Sequence, residues 1–134
     1  MTAPLGQGVL TGEVKSFDDL PDNGITRQLP KYQGDNFQAN LQRLQAIRTL
    51  AADKGVTPAQ IAINWLVTLS KRPDMPTIIP IPGTTSIKRL EENSKVIELT
   101  EKDMEAIDKI IKEHPIVGDR HNEYTGRLAD DSTL

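Results

Sequence analysis

IPIPGTTSIKRLEEN, residues 79–93, decides how the rest of the chain is read. An apolar run ends in a Pro-Gly turn, and hydroxyl residues able to cap a helix follow. A basic pair and an acid-amide pair complete the stretch. That order sets a helix start, with unpaired backbone N–H groups and partial positive charge, at the end of a strand. Such an end suits a phosphate group. Arg89 falls about one turn into the helix, where its planar fork can hold a second phosphate or stack on an adenine face. The stretch therefore points to a nucleotide.

Outward from this stretch, Thr77 to Ile81 is apolar and β-branched between Pro76 and Pro82, which predicts a buried strand. Ile87 to about Lys95 is the short helix of the motif. Thr100 caps a further helix with Asp103 at its third position, and Leu99 can staple onto Met104. Met104, Ile107 and Ile111 carry that helix to His114-Pro115, where a His114 cation would suit the helix end. On the N-terminal side, Thr57-Pro58-Ala59-Gln60 combines a Thr cap, Pro at the first helical position and a returning Gln. Ile61, Trp65 and Leu69 form its apolar face and are read as core. Before it, Phe37, Leu41, Leu44, Ile47 and Ala51 make one helical stripe capped by either Asp35 or Asn36 and closed by a left-handed Gly55.

The N-terminal segment MTAPLGQGVLTG reads as a turn at Pro4-Leu5-Gly6 and Gly8, with Val9-Leu10 too short for a strand. Residues 13–35, with Pro21, Asn23-Gly24, Pro30 and Gly34, show no sustained period. They are expected to be a long loop, either functional or mobile, that covers a ligand. Residues 118–134 read as a polar tail. The order of elements argues for parallel β/α units, and only two strands are visible, too few for a closed sheet.

Composition narrows the function classes. The chain has 134 residues, a formal net charge of −3 and no cysteine. This excludes disulfide frameworks and thiolate metal sites. No basic run supports nucleic-acid or polybasic membrane binding, and no apolar run approaches spanning length. His114 and His121 are too few for a zinc cluster. The expectation is a protein of the cytoplasm with no metal, no nucleic acid and no membrane partner.

Four motifs, APLGQGVLTG, the long loop, GVTPAQIAINWLV and IPIPGTTSIKRLEEN, occur in an order that closely resembles the last two β/α units of aldo-keto reductases. The long loop and the GDRH-type tail look most like the pyridoxal reductase-like group found in fungi and plants. The resemblance implies an α/β fold, the last two units of a (β/α)₈ TIM barrel, incomplete in this chain. Residues 1–117 would be the C-terminal part of an NADP-binding barrel. It implies NADPH as cofactor and hydride transfer to an aldehyde or ketone without metal or flavin. Residue by residue, it places Pro4, Leu5, Gly6 and Gly8 around the pyrophosphate, with Ala3 where relatives carry Ser. Gly83, Thr84, Thr85 and Arg89 would meet the adenosine 2′-phosphate, with Lys88 adding charge, and Glu92 and Asn93 the adenine amino edge. Many relatives carry Lys where this chain has Gly83.

The family's catalytic Asp, Tyr, Lys and His lie upstream of the strand-seven motif, where this chain begins, so no catalytic residue is assigned. Neither Tyr32 nor Tyr124 has the matching Lys and Asp context. The start at Met1 suggests a truncated product, an alternative start or one half of a split protein. Arg27 and Lys31 are read as solvated loop charges rather than as pyrophosphate ligands, and His121 as a surface residue of the tail. Two functions follow. One is an NADPH-dependent carbonyl reductase acting on a small carbonyl substrate if the missing half completes it. The other is a non-catalytic nucleotide-binding fragment that self-associates through exposed strand edges.

Overall fold

A computed structural model describes residues 4–20 and 25–119. Four α-helices carry the architecture: α1 (Gly34–Lys54), α2 (Pro58–Leu69), α3 (Ile87–Asn93) and α4 (Glu101–Glu113). α1 packs against both α2 and α4, and α3 lies on α2. Ala3, Tyr124, His121 and most of the expected tail lie outside the described residues.

The local signals explain where the helices begin and end. Thr57 Oγ1 accepts from Gln60 N at 3.2 Å while Gln60 Oε1 accepts from Thr57 N at 3.1 Å, a complete capping box with Pro58 at the first position. Thr100 and Asp103 form the same box at the start of α4. Leu99 and Met104 are both buried there, as the staple requires. Gly55 closes α1 at φ 69°, a conformation that glycine adopts without steric penalty. His114 is the C-terminal cap of α4.

The start of α1 departs from expectation. Gln33 occupies the cap position, with no side-chain capping bond, and neither Asp35 nor Asn36 caps. Asp35 stands in the first turn, where a negative charge complements the helix dipole. Asn36 Nδ2 is committed to the Pro30 carbonyl at 3.0 Å, fixing the preceding loop instead.

That loop is not a structureless cover. It contains short 3₁₀ turns at Phe17–Asp19, Ile25–Gln28 and Pro30–Tyr32. Leu20, Leu29 and Tyr32 are buried with Val9, Val14, Phe37 and Leu44 in one apolar cluster. Arg27 Nε donates to the Leu20 carbonyl at 2.8 Å, and the guanidinium sits 5.1 Å over the Phe17 ring. Lys31 lies 4.8 Å over the ring of Tyr32. These two cations hold the loop together rather than stand as solvated charges. The apolar residues are unevenly spaced, so no helical or strand period announced their burial.

A second cluster joins the C-terminal half of α1 to α2 and α4 through Ala51, Ile61, Leu99, Met104 and Ile107, with Trp65 and Leu69 packed on it. Lys54 Nζ reaches Asp103 Oδ2 at 2.7 Å and ties the end of α1 to the start of α4. The Lys54 ammonium, with the Thr100 donors, holds the Asp103 carboxyl below its ordinary range.

The buried strand expected at Thr77–Ile81 is not formed. Among the described residues there is no strand, only an isolated bridge at Pro80, and Ile79 and Ile81 are 56% and 50% exposed. The segment runs without helical structure and is pinned by Ile78 N, which donates to Ser70 Oγ at 2.7 Å. Pro76, Pro80 and Pro82 offer no N–H to a ladder, and a strand of this kind needs neighbours on both sides. The α/β expectation is thus met in its helices and not in its strands.

Candidate functional site

The segment Gly6–Thr11 and α3 both lie against one element, α2. Leu5 is buried with Ala59 and Ile63 of that helix. Gly6 and Gly8 adopt φ 54° and 90°, and the Leu5 carbonyl accepts from Gly8 N at 3.0 Å and Leu10 N at 3.1 Å. The turn read at these glycines is the start of a 3₁₀ helix, Gly6–Thr11, closed by Gly12 at φ 88°. Its Gly6 carbonyl accepts from Tyr32 Oη at 2.9 Å. Burial pushes the Tyr32 phenol up to about 12, and its proton is committed to a backbone carbonyl.

On the other side, Ser86 is the cap of α3, accepting from Arg89 N at 3.4 Å, and Thr84 Oγ1 accepts from Ser86 N at 3.1 Å. Thr85 and Gly83 are exposed. A Cβ added at Gly83 would meet nothing within 4 Å, so the backbone here faces open space and a larger residue would fit. Arg89 is exposed, and its guanidinium pairs with the Glu13 carboxylate. Lys88 is exposed beside it.

Glu92 is less free than the sequence implied. Its Oε1 accepts from Thr57 Oγ1 at 2.6 Å, and its carbonyl accepts from Gln60 Nε2 at 3.2 Å. The cap of α2 thereby grips the C-terminal end of α3, where half-buried Asn93 is the last residue. Asn64, 2% exposed, extends the grip. Its Nδ2 donates to the Lys95 carbonyl at 3.2 Å and its Oδ1 accepts from Ile97 N at 2.9 Å. Asn64 has no place in the sequence reading. The available signal was a polar residue four positions after Gln60 in an otherwise apolar helix.

An apolar cleft of about 490 Å³ opens between α1, α2 and α4, lined by Leu44, Ile47, Ile61, Trp65, Ile107 and Ile111 among others. Pro4 and Gly6 reach its wall, but none of Gly83, Thr84, Thr85, Arg89, Glu92 or Asn93 does. The cleft is a feature of helix packing, separate from the charged face of α3. Among the described residues no three His, Asp or Glu side chains gather to hold a metal, and no helix is long and apolar enough to cross a membrane.

Residues 1–112 match the aldo/keto reductase family. The chain belongs to that family. An aldo-keto reductase of Strobilurus tenacellus, str7, is 37% identical over 134 residues, which is 98% of this chain and 38% of the relative. The Schizosaccharomyces pombe protein named aldo-keto reductase yakc [NADP(+)] is 37% identical over 92% of this chain and 36% of its own length. A Saccharomyces cerevisiae protein named "Putative pyridoxal reductase" is 31% identical over 89% of this chain and 37% of its own length. The resemblance to the fungal, pyridoxal reductase-like members of the family therefore holds. The chain spans little more than a third of the length of these relatives. No solved structure matches it. Membership implies the family's barrel, to which the helical layer described above would belong.

Proposed function

We propose that this chain is the cofactor-holding, C-terminal portion of an NADP-dependent carbonyl reductase, corresponding to the last two β/α units of the barrel. The observation that carries the reading is the exposed Arg89 guanidinium, one turn into a helix preceded by the open Gly83 backbone and the exposed Thr85. A planar cation beside an exposed hydroxyl residue and an unobstructed glycine backbone fits a phosphate monoester.

Arg89 with Thr85 and Gly83 holds the 2′-phosphate in this proposal. Thr84 shapes the turn through its bond with Ser86. The Thr57 bond fixes Glu92 Oε1 and leaves the second carboxylate oxygen to accept from an adenine amino group, with Asn93 beside it. Pro4, Leu5, Gly6 and Gly8 supply the tight backbone that follows the pyrophosphate. NADPH, when bound, supplies a hydride to a carbonyl carbon. None of the described residues is assigned as the proton donor, which in this proposal lies in the earlier units of the barrel. The cytoplasm is the compartment we assign. Substrate would be a small aldehyde or ketone, met only when the rest of the barrel is present.

A second reading has its own support. Ile79 and Ile81 are half-exposed on an extended segment, and Ile87 is 77% exposed nearby in sequence. A non-catalytic, self-associating fragment would bury them.

Titration of the purified chain with NADPH and with NADH, followed by nicotinamide fluorescence, tests the first reading. The expected result is saturable binding with NADPH preferred, and Arg89→Ala weakening NADPH far more than NADH. Equal losses for both dinucleotides would remove Arg89 from the 2′-phosphate role. No binding of either would leave the fragment reading.

A further inference from the structure

Glu13 stands 76 residues before Arg89, yet the two side chains form an ion pair. Among the described residues, Glu13 is the acceptor for this guanidinium. The backbone that carries Glu13 is held in place. Gly12, at φ 88°, turns the backbone immediately before Glu13, and a side chain there would meet Pro58 at 3.5 Å. Arg48 of α1 then grips the carbonyls of the residues on either side of Glu13: its Nη2 donates to the Gly12 carbonyl at 3.0 Å and to the Val14 carbonyl. The Glu13 backbone is held, and its carboxylate is delivered to Arg89.

We propose that Glu13 fills, in the ligand-free chain, the anion position that Arg89 offers to a 2′-phosphate, and so sets how strongly the site prefers a phosphorylated dinucleotide. The inference rests on the 2′-phosphate role given to Arg89 above. The Glu13 carboxylate oxygen takes a place at the Arg89 guanidinium that a phosphate oxygen could take. For the phosphate to bind, Glu13 must leave, and while it stays close it repels the incoming dianion. Both effects lower affinity for the phosphorylated ligand only. Because the pair is exposed, with Glu13 67% and Arg89 44% accessible, its attraction is weak enough to be broken by a doubly charged competitor.

The test uses adenosine 2′,5′-bisphosphate and adenosine 5′-monophosphate, which differ by the 2′-phosphate alone, in calorimetric titrations of the full chain, Glu13→Gln and Arg89→Leu. Glu13→Gln is expected to tighten the 2′-phosphorylated ligand about three- to tenfold, the scale of an exposed charge pair, and to leave the other unchanged. Raising salt should narrow the gap between wild type and variant, since screening weakens the repulsion. If Arg89→Leu erases the preference while Glu13→Gln changes nothing, Glu13 is overturned and the 2′-phosphate role of Arg89 stands. A preference that survives Arg89→Leu, or is absent from both wild type and Glu13→Gln, removes that role and this inference together.

Discussion

Asn64→Leu separates the role of the buried polar network from that of the apolar packing around it. The two side chains share the same heavy-atom branching, with leucine the bulkier, so the change removes hydrogen bonds without opening a cavity. Two backbone groups lose their partner: the Ile97 N–H, now 2.9 Å from Oδ1, and the Lys95 carbonyl, 3.2 Å from Nδ2. Lys95 is exposed and Ile97 half-buried, so water can partly replace the lost partners, and a net loss of about 2 kcal/mol is expected. Against a total stability of about 5–15 kcal/mol this is a large fraction. With a urea dependence of about 2 kcal/mol per molar, the unfolding midpoint should drop by about 1 M. Trp65, the only tryptophan, packs on the second cluster beside this network and reports the transition by fluorescence. Chain concentration must be held fixed, because any self-association enters the apparent stability. Gln38→Ala on the exposed face of α1 is the control, expected to stay within about 0.5 kcal/mol. A midpoint shift for Asn64→Leu no larger than that control would refute the claim that Asn64 holds the segment after α3.

Asp103 has a folded pKa lowered by Lys54, so its stabilisation is complete above the unfolded value of about 3.9 and is lost as pH falls through the folded value; acid titrations of wild type and Asp103→Asn should converge there. At neutral pH the same substitution should cost about 1 kcal/mol, by loss of a cap, in thermal or urea unfolding. Tyr32 has its pKa raised to about 12, so stability should be level up to the unfolded value of about 10 and fall between the two as pH rises. Tyrosinate absorbance would show one phenol, in folded protein, titrating late. Replacing Ile79 and Ile81 together by Thr should reduce self-association in sedimentation velocity without changing helix content, since neither side chain is buried in the chain itself; unchanged sedimentation would exclude this segment as the contact.

The legible parts of the fold were those whose cause is local. Thr57 with Gln60, Thr100 with Asp103, Ser86 before α3 and Gly55 after α1 are all fixed by partners within four residues, and each was readable from spacing. The start of α1 was misread because Gly34-Asp35-Asn36 offers two capping side chains, and a nonlocal acceptor, the Pro30 carbonyl, claimed one of them. The strand at Thr77–Ile81 was misread for a related reason. Its β-branched, apolar pattern states what the residues would bury against, but ladder formation depends on neighbouring strands rather than on the segment. Within the candidate site, family motifs supplied the positions, while the partners Glu13 and Asn64 could not be seen, since Arg89 and Ile97 lie 76 and 33 residues away from them.

The division between what is formed and what is exposed has a consequence for the nucleotide site. Among the described residues, the polar contacts that hold α3 and the chain just after it are its own cap, Thr84 and Ser86, together with Thr57 and Gln60 on Glu92, Asn64 on Lys95 and Ile97, and Glu13 on Arg89. None of these bonds depends on a paired strand. The unsatisfied surface lies elsewhere, on Ile79, Ile81 and the apolar residues of α3 that face outward. Loss of sheet neighbours therefore acts on solubility and association, whereas the arrangement of the phosphate-facing residues is a property of the helical layer. Affinity for the 2′-phosphate and the tendency to self-associate should for that reason respond to different substitutions, Arg89 and Glu13 for the one and Ile79 and Ile81 for the other.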